Sequence, residues 1–556
     1  MLKKILFILI LFSYQTYLYS KDTKFDNFNY KYLSNYLSAL ISYNNGESKK
    51  ALKYLNSSKK IIQMNQNFFK TYLISMIENG QIKRAVKEIR NNSKKGTDNF
   101  FEAKLLLSID EIKNKDYLKA KFHLNQIKKL ESNTEFDTFN SLVIDTLDSY
   151  LTLFITLKAS KTENNYGKLD HIYNSFQSCY LGLEDTFSNF QSLINSNEGD
   201  YSRYLFFHLS NNLEKENYYL AEQIIKSINP LDANLLVAQS KKWFESGDLY
   251  KFSKIFSCQN ENHILAEFLY LVSNLYSSQQ DYEYSNFYIR LSNYLNPKFH
   301  YNLTLLSENY FLMGDYEKSL KIFSKYTLED EVYKWYTFKK NAQILSITKS
   351  ENKALEFIED KFEIFKNPDI KILYDLANIY KNFKRYDKSI NLYSKIINKN
   401  GLNKKSLAEI YYRRGSSYER LKNYLMSDRD LIKSLEEEPN DPYVLNYLAY
   451  SWLERNYKIS RATEMLVEAY ELTDNDPFIA DSLGWAYYLD GDYLNAEKYI
   501  RQAVQLRPND PVILNHYGDI LWSLDRKLQA KYYWKNILDF ENTEDVSKEQ
   551  VNKKII

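Results

Sequence analysis

The sequence predicts an all-α fold, a right-handed α-solenoid (superhelix) of about 13–14 helix-turn-helix units, and three observations carry that expectation. First, an Ala or Ser returns at Ser285, Ser319, Ala354, Ser389, Ser427, Ala462, Ala496 and Ala530, in steps of 34, 35, 35, 38, 35, 34 and 34 residues. A small side chain is required where the second helix of a unit presses its backbone against the first. Second, an aromatic stands three residues before the small one, in DYLKA at Asp116 to Ala120, DYEYS at Asp281 to Ser285, DYEKS at Asp315 to Ser319, RYDKS at Arg385 to Ser389 and DYLNA at Asp492 to Ala496. The Asp is expected to cap the second helix and the Tyr to open its half-buried face. Third, 13 Gly and 8 Pro in 556 residues leave no linker that would divide the chain, as befits an array in which each unit leans on its neighbours.

Taken in chain order, MLKK followed by ILFILILF and by Leu18-Tyr19-Ser20 reads as a secretory signal peptide over residues 1–20, cleaved near Ser20. Its apolar run is short for a membrane span, which needs about 20 residues. Units beginning near Tyr32, Gln66 and Phe101 fill residues 21–139. Residues 140–200, with the run LVIDTLDSYLTLFITL, are expected to be helical with irregular connections. Degenerate units near Ser202, Ala233, Ala266, His300, Trp335 and Ile370 occupy 201–400, and well-formed ones from Ala408, Pro442 and Pro477 occupy 401–538. The tail, 539–556, carries SKEQ at Ser547 to Gln550, a capping box for one short solvent-facing helix that closes the last unit. Ser in places where such repeats usually have Ala, like the abundance of Tyr, Asn and Lys, is attributed to an AT-rich genome.

The anchors are clearest from Pro477 to Asp510. Leu483 and Gly484 form a close-packing notch in the first helix and Tyr487 fills the next turn. Ala496, Ile500 and Ala503 supply the facing stripe, and Pro508 ends the unit. The next unit repeats the plan with Tyr517, Gly518, Leu521, Ala530 and Trp534. This pattern resembles tetratricopeptide-repeat (TPR) proteins. Across Leu445 to Leu538 the runs DSLGW, at Asp481 to Trp485, and HYGDILW, at His516 to Trp522, are similar to exported proteobacterial members. Those include the outer-membrane lipoprotein adaptor of a periplasmic carboxy-terminal processing protease. The resemblance implies a periplasmic scaffold that brings an enzyme to its substrates, while the lack of a lipobox Cys departs from the lipoprotein members.

Composition excludes several functions. A formal charge of +3, from 74 basic and 71 acidic residues, argues against a nucleic-acid partner. His123, His171, His208, His263, His300 and His516 form no HExxH and stand beside no Cys pair. GxSxG, P-loop and GxGxxG motifs are also missing, so neither a catalytic site, a metal nor a cofactor is expected. Cys179 and Cys258, 79 positions apart in different units, read as two buried small side chains in preference to a disulfide.

Function is expected on the concave wall, at positions two, five, nine and twelve of each first helix, which share one helical face. In the last three units these are Tyr443, Asn446, Tyr450 and Leu453; Phe478, Asp481, Trp485 and Tyr488; and Val512, Asn515, Asp519 and Trp522. Aromatics interleaved with Asn and Asp suit an extended peptide or a partner helix, although the same rings can also pack between adjacent first helices. The Lys, Arg and Asn clamp with which related domains hold chaperone tails is absent at positions five and nine. The reading is a non-catalytic protein-binding adaptor of the periplasm or cell envelope of a Gram-negative bacterium. Its client would be a protease, a murein enzyme or an outer-membrane assembly factor. The alternative is a glycan or peptide-ligand receptor, with Trp485 and Trp522 stacking on sugar rings. Membrane contact is expected only through an uncleaved signal anchor or a membrane-bound partner.

Overall fold

The computed structural model describes residues 30–63, 65–93, 96–131, 138–196, 200–324, 330–399, 402–540, 543 and 546–556. The signal-peptide reading falls on residues 1–20, outside the described residues. Thirty α-helices and no strand occur among the described residues, in the run of packed helices that makes an α-solenoid. None of these helices is long and apolar enough to cross a membrane.

One local device joins the two helices of a unit. After the helix Pro477–Leu489, Gly491 takes φ 85°, its N–H donates to Tyr488 O at 3.1 Å, and the Asp492 N–H donates to Tyr487 O at 2.9 Å. A residue in the left-handed region lets the chain reverse while the last carbonyls stay bonded. The expected caps form: Asp281, Asp315 and Asp492 accept from the N–H groups of Tyr284, Lys318 and Asn495. Arg385, in the one variant of the motif without Asp, gives no side-chain cap.

The notch is a pair of small residues twelve apart. A Cβ on Gly484 would stand 3.0 Å from Ile500 N and 3.1 Å from Ala496 O, so a larger residue here would push the two helices apart by a few tenths of an ångström. Where the first member is Ser, its hydroxyl bonds the facing backbone: Ser108 Oγ donates to Ala120 O at 3.0 Å, Ser273 to Ser285 O at 2.8 Å, and Ser307 to Ser319 O at 2.7 Å. These serines thus have a packing role that a reading as genome bias had not given them. Each buried hydroxyl is satisfied at the helix crossing.

An undivided array was expected. The contacts instead gather into two compact units, Met1–Ile225 with Asn234–Thr337, and Lys226–Ala233 with Phe338–Ile556. The reason is visible within the first unit, where the helix Tyr282–Leu295 packs back against the first helices of the three amino-terminal hairpins. Tyr43 OH donates to Glu283 at 2.5 Å, Tyr284 OH to Glu102 at 2.9 Å and Tyr294 OH to Asp110 at 2.6 Å, while Lys70 pairs with Glu102 at 2.7 Å. Lys318 also reaches the Gly46 carbonyl. Most of these contacts join residues more than 180 positions apart, which an array of nearest neighbours would not do.

The cysteine reading is corrected. Cys179 and Cys258 form a disulfide, with Cα atoms 5.7 Å apart. Aromatic packing brings them together despite their separation. Phe256 lies 6.0 Å from Phe176 and 4.7 Å from Phe207, and Gln259 donates to the Tyr180 carbonyl at 3.2 Å, so the segment after Tyr250–Ile255 runs beside the end of Lys168–Leu181.

In the second unit the four carboxy-terminal helix pairs, starting with Lys404–Arg420 and Tyr424–Glu437, build a continuous core. Leu445, Leu448, Ala462, Leu466 and Leu483 fill its first part, and Ile500, Ile513, Tyr517, Leu521 and Trp534 its second. The tail helix Lys548–Ile555 starts where Ser547 accepts from the Gln550 N–H, and it seats Val551 in that second part.

Candidate functional site

The first helices Pro442–Glu454, Pro477–Leu489 and Pro511–Ser523 begin alike. Asp441, Asp476 and Asp510 each accept two backbone N–H groups, and Pro occupies the first turn, where its missing N–H costs nothing. This common start sets the three helices in register, so that residues of equal rank fall on one wall.

That wall opens into a cleft of about 570 Å³. Asn446, Tyr450, Phe478, Asp481 and Val512, five of the residues expected on the concave face, line it together with Glu419, Glu454 and Arg455. Tyr443 and Phe478 are 59% and 49% exposed, rings presented to solvent in the first turn of two successive helices, and of the two Phe478 lines the cleft. Asn446 Oδ1 and Ser451 Oγ are buried without a hydrogen-bond partner among the described residues. Ser451 also lines the cleft. It lies off the i, i+3, i+4 stripe, so periodicity offered no signal for it.

Several expected residues, Asp481 among them, also serve internal contacts. Asp481 is buried and faces His516, whose Nδ1 lies 2.9 Å from Oδ1 and 3.1 Å from Oδ2. Trp485 stacks on that imidazole at 4.2 Å and on Tyr488 at 4.8 Å. Burial would push the His516 imidazole down, but the Asp481 carboxylate outweighs it and holds the group above its ordinary value. Asn515 and Asp519 hold Lys554 of the tail helix, with Nζ 3.0 Å from Asn515 Oδ1 and 2.6 and 2.7 Å from the two Asp519 oxygens. The tail therefore reaches positions five and nine of the last first helix, where a partner was expected. Trp522 remains 40% exposed, with Trp534 at 5.6 Å. Leu453, expected at position twelve of the wall, is 1% exposed and belongs to the core, because that position meets the next pair in a cluster with Ile479 and Leu483.

The profile of the tetratricopeptide repeat matches residues 370–398, 408–441 and 481–510, and of the cleft's lining Glu419, Asp481 and Asp510 fall within these matches. The TPR repeat-containing protein PA4667 of Pseudomonas aeruginosa is 33% identical over 110 residues, which are 20% of this chain and 18% of that protein. The TPR repeat-containing protein MJ1428 of Methanocaldococcus jannaschii is 27% identical over 348 residues, 59% of this chain and 55% of that protein. The chain thus spans less than a fifth of one of these curated relatives and about half of the other. Among solved structures, a thermophilic TPR protein of Thermus thermophilus, TTC0263, aligns with a TM-score of 0.29 at 16% identity over 34% of this chain and 99% of its own. PilF of Pseudomonas aeruginosa aligns at 0.28 and 15% identity over 32% of this chain and 78% of its own. Tetratricopeptide repeats generally mediate protein–protein interaction as non-catalytic scaffolds.

Proposed function

We propose that this tetratricopeptide-repeat protein is a non-catalytic adaptor of the bacterial cell envelope that holds a segment of a partner protein in the cleft of its carboxy-terminal repeats. The observation that carries the reading is the cleft itself. It places the exposed ring of Phe478 on one lining with Asn446, Tyr450 and Ser451, and Asn446 Oδ1 and Ser451 Oγ have no hydrogen-bond partner among the described residues. An exposed aromatic anchor beside polar side chains suits an extended segment or a partner helix. Export is supported by the apolar run after MLKK and by the Cys179–Cys258 disulfide, since such bonds persist in oxidising compartments.

Photo-crosslinking in the cell tests it, with probes at Phe478, which lines the cleft, and at Tyr443, one turn before the cleft residue Asn446, and at Leu494, a 75% exposed residue of a second helix, as control. Capture of the same protein from both Phe478 and Tyr443 and not from Leu494 is expected. Equal capture from all three, or none, overturns the reading. The glycan alternative now rests chiefly on the exposed Trp522, because Trp485 is committed to stacking on His516 and Tyr488. Glycan binding lost on Trp522→Ala, with helicity unchanged, would favour it.

A further inference from the structure

Within the first unit, three helices bring basic side chains to one cleft of about 590 Å³. The turn Gly80-Gln81 and the start of Ile82–Asn92 form one wall. Lys113, the last residue of Phe101–Lys113, forms a second, and Arg290 and Tyr294 of Tyr282–Leu295 form the third. Lys83, Arg84, Lys113 and Arg290 line it, and among the described residues no carboxylate does.

The charges are poorly matched. Arg84 donates to Gln81 Oε1 at 2.9 Å, to Tyr72 OH at 3.2 Å and to Asn56, all neutral groups. Lys113 reaches the Tyr294 carbonyl and lies 3.8 Å over the Tyr294 ring. Asp110, the acid whose charge acts on Lys113, already accepts from Arg90 at 2.7 Å and from Tyr294 OH at 2.6 Å. Arg290 faces Glu78, whose carboxyl is pushed up to about 7 by burial and by Glu283, so it is only partly ionised near neutrality. Burial, and then Lys83 beside it, hold the Lys113 ammonium below its usual value, as expected where like charges share a partly desolvated space. The helix Ile82–Asn92 has no side-chain cap and opens at the same cleft, so its positive end adds to the field.

We propose that this cleft is an oxyanion site, in which Lys83, Lys113 and the start of Ile82–Asn92 take the phosphate or carboxylate group of a small ligand. Arg84 and Arg290 form the walls that set its depth. A group with two or three acceptor oxygens meets cations from three sides, a geometry that a solvated basic face lacks. The site lies on the helix that packs back onto the amino-terminal hairpins, so occupancy ties these elements together.

The test is calorimetric titration of the full chain with inorganic phosphate and, separately, with citrate, against sodium chloride of equal ionic strength. Saturable heat is expected with at least one of the two acids and not with chloride. Phosphate alone assigns a phosphate ester, and citrate alone a carboxylate. Lys83→Glu places a competing carboxylate at an exposed position, so the fold is kept and binding is expected to vanish. Lys113→Met is expected to weaken binding about tenfold, as one charged contact is lost. Heats no larger than those of chloride, or binding undiminished in a Lys83→Glu protein of normal helicity, overturn the proposal.

Discussion

His516 is clamped against Asp481 of the preceding repeat, Nδ1 to Oδ1 at 2.9 Å, beneath the indole of Trp485. The imidazole is held above its ordinary value, so the folded state binds the proton more tightly than the unfolded chain does. The stabilisation is fully present below the unfolded value, about 6.5, and is lost as pH rises through the folded value. The second unit should therefore soften on the alkaline side of neutrality. His516→Asn should flatten that slope, as read by urea unfolding followed through the tryptophans of that unit.

The first unit should respond in the opposite sense. His208 is fully buried among Phe187 and Phe190, and burial pulls it down to about 4. His263 is also held at about 4, by burial and then by Lys298. A lowered imidazole stabilises above the unfolded value and loses that contribution as pH falls from about 6.5 toward 4. For His208 the loss is on the order of 3 kcal/mol. Hydrogen exchange measured on either side of this range should show the helix Tyr204–Glu214 opening more readily in acid.

Reducing the Cys179–Cys258 bond closes no cavity and breaks no helix, but it frees a loop of 79 residues in the unfolded chain. The expected loss is about 4 kcal/mol in the first unit, with the second unit unchanged. Chemical denaturation of Cys258→Ser, or of the native chain with and without reductant, reads this directly. A loss shared by both units would contradict it.

Several hairpin turns place a side chain where Gly491 sits in the 477–510 repeat. Gln280 takes φ 65° and Lys422 φ 60°. Left-handed backbone costs an ordinary residue roughly 1 kcal/mol. Gln280→Gly and Lys422→Gly should each stabilise by up to about 1 kcal/mol, visible as a raised denaturation midpoint. Gly491→Ala should cost a similar amount.

Gly518 should tolerate no side chain. A Cβ there would fall on the Trp534 indole, 2.7 Å from its Cε2, and that ring is 2% exposed and cannot step aside. Gly518→Ala should cost about 1–3 kcal/mol by overpacking. A smaller ring at position 534 should recover part of it, as a double-mutant cycle in denaturation would show.

The repeat was legible because its determinants lie close together in the chain. Gly484 and Ala496 announce a notch, and Asp492 announces a cap, all within a single repeat. Part of the groove was legible for the same reason, since Asn446, Tyr450, Phe478, Asp481 and Val512 follow from helical spacing and line one cleft. Spacing did not reveal which of those groups were already taken. Asp481 looks like a free acid until His516 is seen beside it, and Asn515 and Asp519 look open until Lys554 is found between them.

By itself the sequence determined the helices, their period, their caps and the small residues at each crossing, because these rest on interactions within about one repeat. Only the tertiary structure decided the rest: the Cys179–Cys258 pairing, the return of Tyr282–Leu295 onto the first hairpins, the Lys554 contact and the basic cleft around Lys83 and Lys113. Most of these join residues tens to hundreds of positions apart, and no periodicity marks them. Which groups meet depends on the sum of many small rotations between successive helices, and that sum is a property of the packed array.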